Sequence, residues 1–204
     1  MSFPLYLLIA AISWPVFRFG FRLKSRGLEH LPRSGGFVLA ANHSSNLDPW
    51  PLGLPLFPRR HLRFMAKSEL YWWPLRLVLR NAGAFPVRRG EADTVAIETA
   101  ERLCREGEIV VMFPEGTRRQ KGLRKKYEAR PRTGAARIAL RADVPLVPAA
   151  IVGTDRLARL GPFRIAYGRP IPLDDLRGQD SRTAAQTATD RLMAEIERLE
   201  QTLL

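Results

Sequence analysis

Only one cysteine, Cys104, and three histidines occur in the 204 residues. A single thiol closes no internal disulfide and points to a reducing compartment. Its setting in "AERLCREG" reads as a buried, inert side chain rather than a nucleophile. His30, His43, His61 and Cys104 do not fall at metal-ligand spacings, so no metal site is expected. There is no Gly-rich Walker loop and no dinucleotide fingerprint. Internal repeats, heptad runs and low-complexity tracts are missing as well. Acidic residues are scarce: 33 Lys and Arg face 20 Asp and Glu, leaving a net charge of +13. That balance calls for an anionic partner, whether lipid headgroup, phosphorylated substrate, acidic carrier protein or nucleic acid. Charge alone does not choose among them.

What is present is a globular composition, 46% apolar, in a chain long enough to bury a core. Residues 3–21 are almost wholly apolar, about the length that crosses a bilayer, but Pro4, Pro15 and Arg18 interrupt them. No cation precedes this run and no small-x-small site follows it, which argues against a secretory signal. Instead Arg18, Arg22, Lys24 and Arg26 follow, with Trp14, Phe17, Phe19 and Phe21 at the junction. Aromatics and cations at the end of an apolar segment suit the cytoplasmic face of a membrane. The expectation is a membrane-associating helical segment over residues 1–26, peripheral or monotopic on the cell membrane, ahead of a domain over 27–204. The plainer alternative is a core helix of that domain.

Beyond residue 26, short apolar runs alternate with amphipathic ones. Residues 37–42, 62–67, 84–89, 108–113 and 145–153 read as strands, and 164–168 as a possible edge strand. Helices are expected over 49–57, 69–81, 93–106 and 133–142. The third has Asp93 as a candidate cap and Gly107 as a stop. From Ser181 onward Leu192, Ile196, Leu199 and Leu203 recur at helical spacing. Strand–helix alternation of this kind predicts an α/β fold, a largely parallel sheet flanked by helices. In such sheets chemistry gathers beyond the carboxyl ends of the strands. Those ends carry His43, Lys67, Arg88 with Arg89, and "FPEGTR" from Phe113 to Arg118.

His43 and Asp48 are five residues apart, which on a regular helix puts them about 140° apart. They meet only if His43 lies in the loop before a helix. Ser45-x-x-Asp48 has the form of a capping box, and Pro49 and Pro51 suit a first helical turn. Asp48 would then fix the tautomer of His43 and leave its other nitrogen free as a base. Taken alone, the pair reads better as a helix cap beside a surface loop histidine. Glu115 and Arg118, on a Pro-Glu-Gly turn, add a carboxylate for a hydroxyl or cation and a guanidinium able to grip phosphate. The basic stretch 118–130 has the charge to bind nucleic acid, but it has one aromatic and no reader module around it. A loop over an active site or against anionic lipid fits equally well, and no nucleic-acid partner is called for.

"NHSSNLD", "GAFPVRR", "FPEGTR" and "VPLVPAAI", in this order, resemble the four motifs of the glycerolipid acyltransferases, specifically the bacterial lysophosphatidate acyltransferase (PlsC-like) family. The similarity covers roughly residues 27–153. Pro86 stands where relatives commonly carry a bulky apolar residue. Arg132 and Gly134 occupy the place of a usual Phe-Lys-x-Gly, after a loop, 119–130, that is longer and more basic than usual. The resemblance implies acyl transfer from acyl-coenzyme A or acyl carrier protein to the free hydroxyl of lysophosphatidate, without a cofactor. It makes His43 the general base and Asp48 its partner. Glu115, Gly116 and Thr117 would line the acceptor pocket, with Lys67, Arg89 and Arg118 as phosphate ligands and Asn42 and Ser45 on the acceptor side. Two rivals remain: acylation of another lyso-lipid, such as a lyso-aminolipid or glycolipid, and a non-catalytic basic protein that binds membrane or nucleic acid.

Overall fold

The computed structural model describes residues 3–87, 94–116 and 131–204. Seven strands form one sheet: β1 (Lys24–Arg26), β2 (Phe37–Ala41), β3 (Leu62–Lys67), β4 (Ala84–Val87), β5 (Ile109–Met112), β6 (Leu146–Val152) and β7 (Arg164–Tyr167). Their order is β1-β7-β6-β2-β5-β3-β4. All neighbours run parallel except β6 and β7. The helices are α1 (Phe3–Pro15), α2 (Pro49–Gly53), α3 (Leu75–Asn81), α4 (Thr94–Arg105), α5 (Gly134–Ala142) and α6 (Ser181–Gln201).

The central strand β2 is buried along its whole length because both sheet faces are covered, which is why it reads as an unbroken apolar run. Phe37, Leu39 and Ala41 face one core with Tyr6, Ala10, Leu52 and Ile151. Val38 and Ala40 face the other, with Ala100 and Leu103 of α4, Ile138 of α5 and Leu192 and Ile196 of α6. Asp180 caps α6 by accepting from the amides of Arg182 and Thr183 at 3.1 and 3.0 Å. Gly107, at φ +89°, stops α4 as expected. Asp93, its expected cap, lies outside the described residues.

Three expectations are corrected. Residues 164–167 form a strand, but not an edge strand: β1 pairs outside it. The exposed "KSR" of β1 has no apolar alternation and gave no strand signal. The helix expected over 49–57 ends at Gly53 and passes into a 3-10 turn, Leu54–Leu56, where Pro55 has no amide to donate. The helix expected from residue 69 begins only at Leu75, after a 3-10 turn over Ser68–Leu70, because Pro74 sits at its N-terminus.

The N-terminal segment leans on the domain. Tyr6, Ala10 and Phe17 are buried in the first core, and the Trp50 indole donates to the Ser13 hydroxyl at 3.0 Å. After Pro15 a π-helical turn covers Val16–Gly20. No helix among the described residues is long and apolar enough to cross a membrane.

Candidate active site

The parallel strands β2, β3, β4, β5 and β6 all end on one edge, and register brings their ends level. Ala40 pairs with Met112, so His43 and Glu115 each lie three residues past paired positions. Lys67 is likewise the last residue of β3, opposite Val87 of β4. Arg89, Thr117 and Arg118 lie outside the described residues.

At the end of β2 the side chain of Asn42 closes a two-bond clasp with β6: its amide donates to the Ile151 carbonyl at 2.9 Å, and its oxygen accepts from the Ile151 amide at 2.8 Å. That clasp fixes where the chain leaves the sheet, and the next residue is His43. Its Nδ1 lies 2.9 Å from Asp48 Oδ2, with His43 6% and Asp48 0% exposed. The same carboxylate oxygen accepts from the Ser44 and Ser45 amides at 2.7 and 2.8 Å. Oδ1 accepts from the Thr154 hydroxyl at 2.6 Å. Every other contact of the Asp48 carboxylate comes from a donor, so it acts as acceptor and His43 Nδ1 carries the proton. Nε2 is left as the basic nitrogen, and among the described residues it makes no hydrogen bond.

The capping box forms in only one direction. Asp48 reaches back to the Ser45 amide, whereas the Ser45 hydroxyl accepts from the Leu47 amide at 3.3 Å rather than from Asp48. Asp48 heads α2 without capping its amides, since Pro49 begins the helix. Its oxygens are therefore available to the loop and to His43.

Phe113 stacks on the His43 ring, with centroids 4.0 Å apart and planes 19° from parallel. It shields one ring face and ties β5 to the histidine. Two residues on, Glu115 is 8% exposed on the turn. Gly116 adopts φ +68°, and a Cβ there would sit 2.6 Å from Arg132 Nε. Arg132 is bound through its amide to the Pro114 carbonyl at 2.8 Å, so its side chain crosses the turn. Lys67 is exposed at its strand end. Among the described residues no group of three or more His, Cys, Asp or Glu side chains is arranged to hold a metal ion.

Sequence reasoning named His43, Asp48 and Glu115, and missed Thr154 and Phe113. Thr154 follows β6, over a hundred positions from Asp48, and a lone Gly-Thr after an apolar strand carries no chemical signal. Phe113 was legible only as the last apolar residue of a strand.

A family model described as Acyltransferase matches residues 22–152. A 1-acyl-sn-glycerol-3-phosphate acyltransferase of Bacillus subtilis (strain 168) is 34% identical over 180 residues, covering 86% of this chain and 86% of that protein. The chain belongs to the acyltransferase family. The human 1-acyl-sn-glycerol-3-phosphate acyltransferase alpha is 30% identical over 173 residues, 79% of this chain but 59% of the human one. The crystal structure of the LPA acyltransferase PlsC from Thermotoga maritima superposes with a TM-score of 0.65 at 21% identity, covering 97% of this chain and 79% of that one. At that identity the match shows the fold alone. Within the acyltransferase family match lie β1 to β6, and with them His43, Asp48, Lys67 and Glu115; Thr154 stands just beyond its end.

Proposed function

We propose that this acyltransferase moves a fatty acyl group from an acyl thioester to the free hydroxyl of lysophosphatidate, giving phosphatidate for phospholipid synthesis. The observation that carries the reading is the buried His43–Asp48 pair, with Asp48 held by four donors at the edge where the parallel strands end. His43 Nε2 takes the hydroxyl proton as the oxygen attacks the thioester carbonyl, and Asp48 stabilises the imidazolium that forms. The tetrahedral intermediate then breaks its C–S bond, and Nε2 returns the proton to the departing thiolate. No acyl-enzyme is needed, and no cofactor beyond the thioester, coenzyme A or acyl carrier protein. Lys67 supplies charge for the acceptor phosphate from its strand end, joined by Arg89 and Arg118. Glu115, Gly116 and Thr117 line the acceptor pocket. Asn42 and Ser45 serve this site through the backbone around His43, given the bonds their side chains already make.

The acyltransferase works from the cytoplasmic face of the membrane as a peripheral or monotopic protein. In support, Leu8, Ile12, Trp14, Val16 and Phe19 are exposed beside Arg18 and Arg22. The deciding assay follows thiol release with lysophosphatidate against other lyso-lipids, and with acyl-coenzyme A against acyl carrier protein. Release that needs lysophosphatidate and disappears in His43→Ala supports the reading. Equal release without any acceptor, or full activity in His43→Ala, refutes it. Preference for a lyso-aminolipid or glycolipid would reassign the acceptor and leave the reaction standing.

A further inference from the structure

Among the described residues, ten of the sixteen exposed large hydrophobic side chains fall in two short stretches, residues 8–19 and 70–78. The first belongs to α1 and the turn after it. The second is Leu70, Trp72, Trp73, Leu77 and Val78, and its two indoles are 59% and 70% exposed. The stretches are distant in sequence, but α1 packs against α3, so the two apolar surfaces adjoin. An apolar surface concentrated in this way on the outside of a folded domain marks a place of contact.

From these observations we infer that the Trp72–Trp73 turn and α3 form a second membrane-docking element, which with α1 seats the protein on an anionic bilayer. Tryptophan is the residue of the membrane interface: a broad apolar ring with one donor suits the boundary between headgroups and acyl chains. The rim has matching charge, since Arg76 and Arg80 of α3 and Arg18 and Arg22 beyond α1 are all exposed cations. A second copy of this chain would carry the same excess of cations and be repelled. An acidic carrier protein would be recognised by cations without bare indoles.

Position gives the element a purpose, which rests on the acyl transfer proposed above. Trp72 comes five residues after Lys67, the strand-end cation beside the site, and α3 leads straight back into β4, the neighbour of β3. A lipid acceptor lying in the bilayer under α3 therefore presents its phosphate at the end of β3 without leaving the membrane. The docking surface is thus set between two adjacent strands of the catalytic edge.

The test uses the full chain, vesicles of phosphatidylcholine with a minor share of phosphatidylglycerol, and the double variant W72S/W73S. Co-sedimentation of the variant should fall about tenfold or more, as expected for withdrawing two ring systems from the interface. Wild-type indole emission should shift to the blue on vesicles and be quenched by brominated acyl chains, and the variant should lose most of that quenching. Turnover of a short-chain lysophosphatidate below its micelle concentration should stay unchanged, while turnover of vesicle-embedded acceptor falls. Unchanged co-sedimentation with unquenched indoles overturns the inference. So does a lipid-free dimer that the variant abolishes, or an equal loss on the monodisperse acceptor. If wild type turns over no acceptor while its partition still depends on the indoles, the reaction fails and the docking surface stands.

Discussion

Asp48→Asn separates the charge at the site from its geometry. An asparagine keeps the shape of the cage: its oxygen at the Oδ2 position accepts from His43 Nδ1 and the Ser44 and Ser45 amides. Its NH2 at the Oδ1 position donates to Thr154, whose hydroxyl now accepts and turns its own hydrogen aside. What disappears is the negative charge facing the imidazolium. With Nδ1 and Oδ2 2.9 Å apart, the centres of the two delocalised charges lie roughly 4 Å apart. At an effective dielectric of about 20 that attraction is worth about 4 kcal/mol. At ~1.4 kcal/mol per factor of ten, kcat should fall about a thousandfold. KM for the acceptor should hardly move, because Asp48 is fully buried and meets no substrate. Thr154→Val is the converse: it keeps the charge and removes one buried hydrogen bond to it. That should destabilise the fold by about 2 kcal/mol and lower kcat far less than Asp48→Asn does. Steady-state kinetics together with denaturant melts read both quantities. If Asp48→Asn retains kcat within a factor of ten while folded, the electrostatic role of Asp48 is refuted. If Thr154→Val costs no stability, the bond at Oδ1 is not the constraint its geometry implies.

Three further outcomes follow from other parts of the fold. Burial at 1% exposure pushes the Cys104 thiol up to about 12, so iodoacetamide at neutral pH should leave the native protein unlabelled and react fully once it is unfolded. The His61 hydrogen bond holds Glu108 below the usual carboxylate range. Its contribution to stability is therefore full above the unfolded carboxylate value and lost as pH falls through the lower, folded one. Glu108→Gln should cost about 1 kcal/mol near neutral pH and flatten the acid limb of the stability curve; an unaltered limb would refute the pairing. At Gly116, φ +68° makes an alanine cost about 1–2 kcal/mol, and its Cβ displaces Arg132. Gly116→Ala should therefore melt earlier and raise KM for the acceptor, which thermal melts and initial rates will show.

Most of the sheet was legible because burial on both faces leaves strands such as β2 and β6 as unbroken apolar runs. The less legible parts have local physical reasons. β1 is polar and exposed, and its place in the sheet comes from pairing with β7, over a hundred residues away. The helices at 49 and 69 are shorter than their apolar spacing suggests, because that spacing continues across Pro55 and Pro74, neither of which has an amide to donate to a regular helix. At the site, local sequence could bring His43 near Asp48 through a turn, but it left open whether Asp48 was only a cap.

By itself, then, the sequence determined the alternation that builds the sheet, the strand ends on which His43, Lys67 and Glu115 stand, and the family to which their motifs belong. Those are properties of nearest neighbours and of short-range period, and they are written locally. Only the tertiary structure decided that Asp48 is a caged acceptor rather than a cap, because two of its restraints come from elsewhere: Thr154 after β6, and the Asn42–Ile151 clasp that aims the chain. It also set α3 beside α1, and so joined two modest apolar stretches into one surface. Contacts across a hundred residues depend on register between strands and on helices packed over them, and no local pattern encodes either.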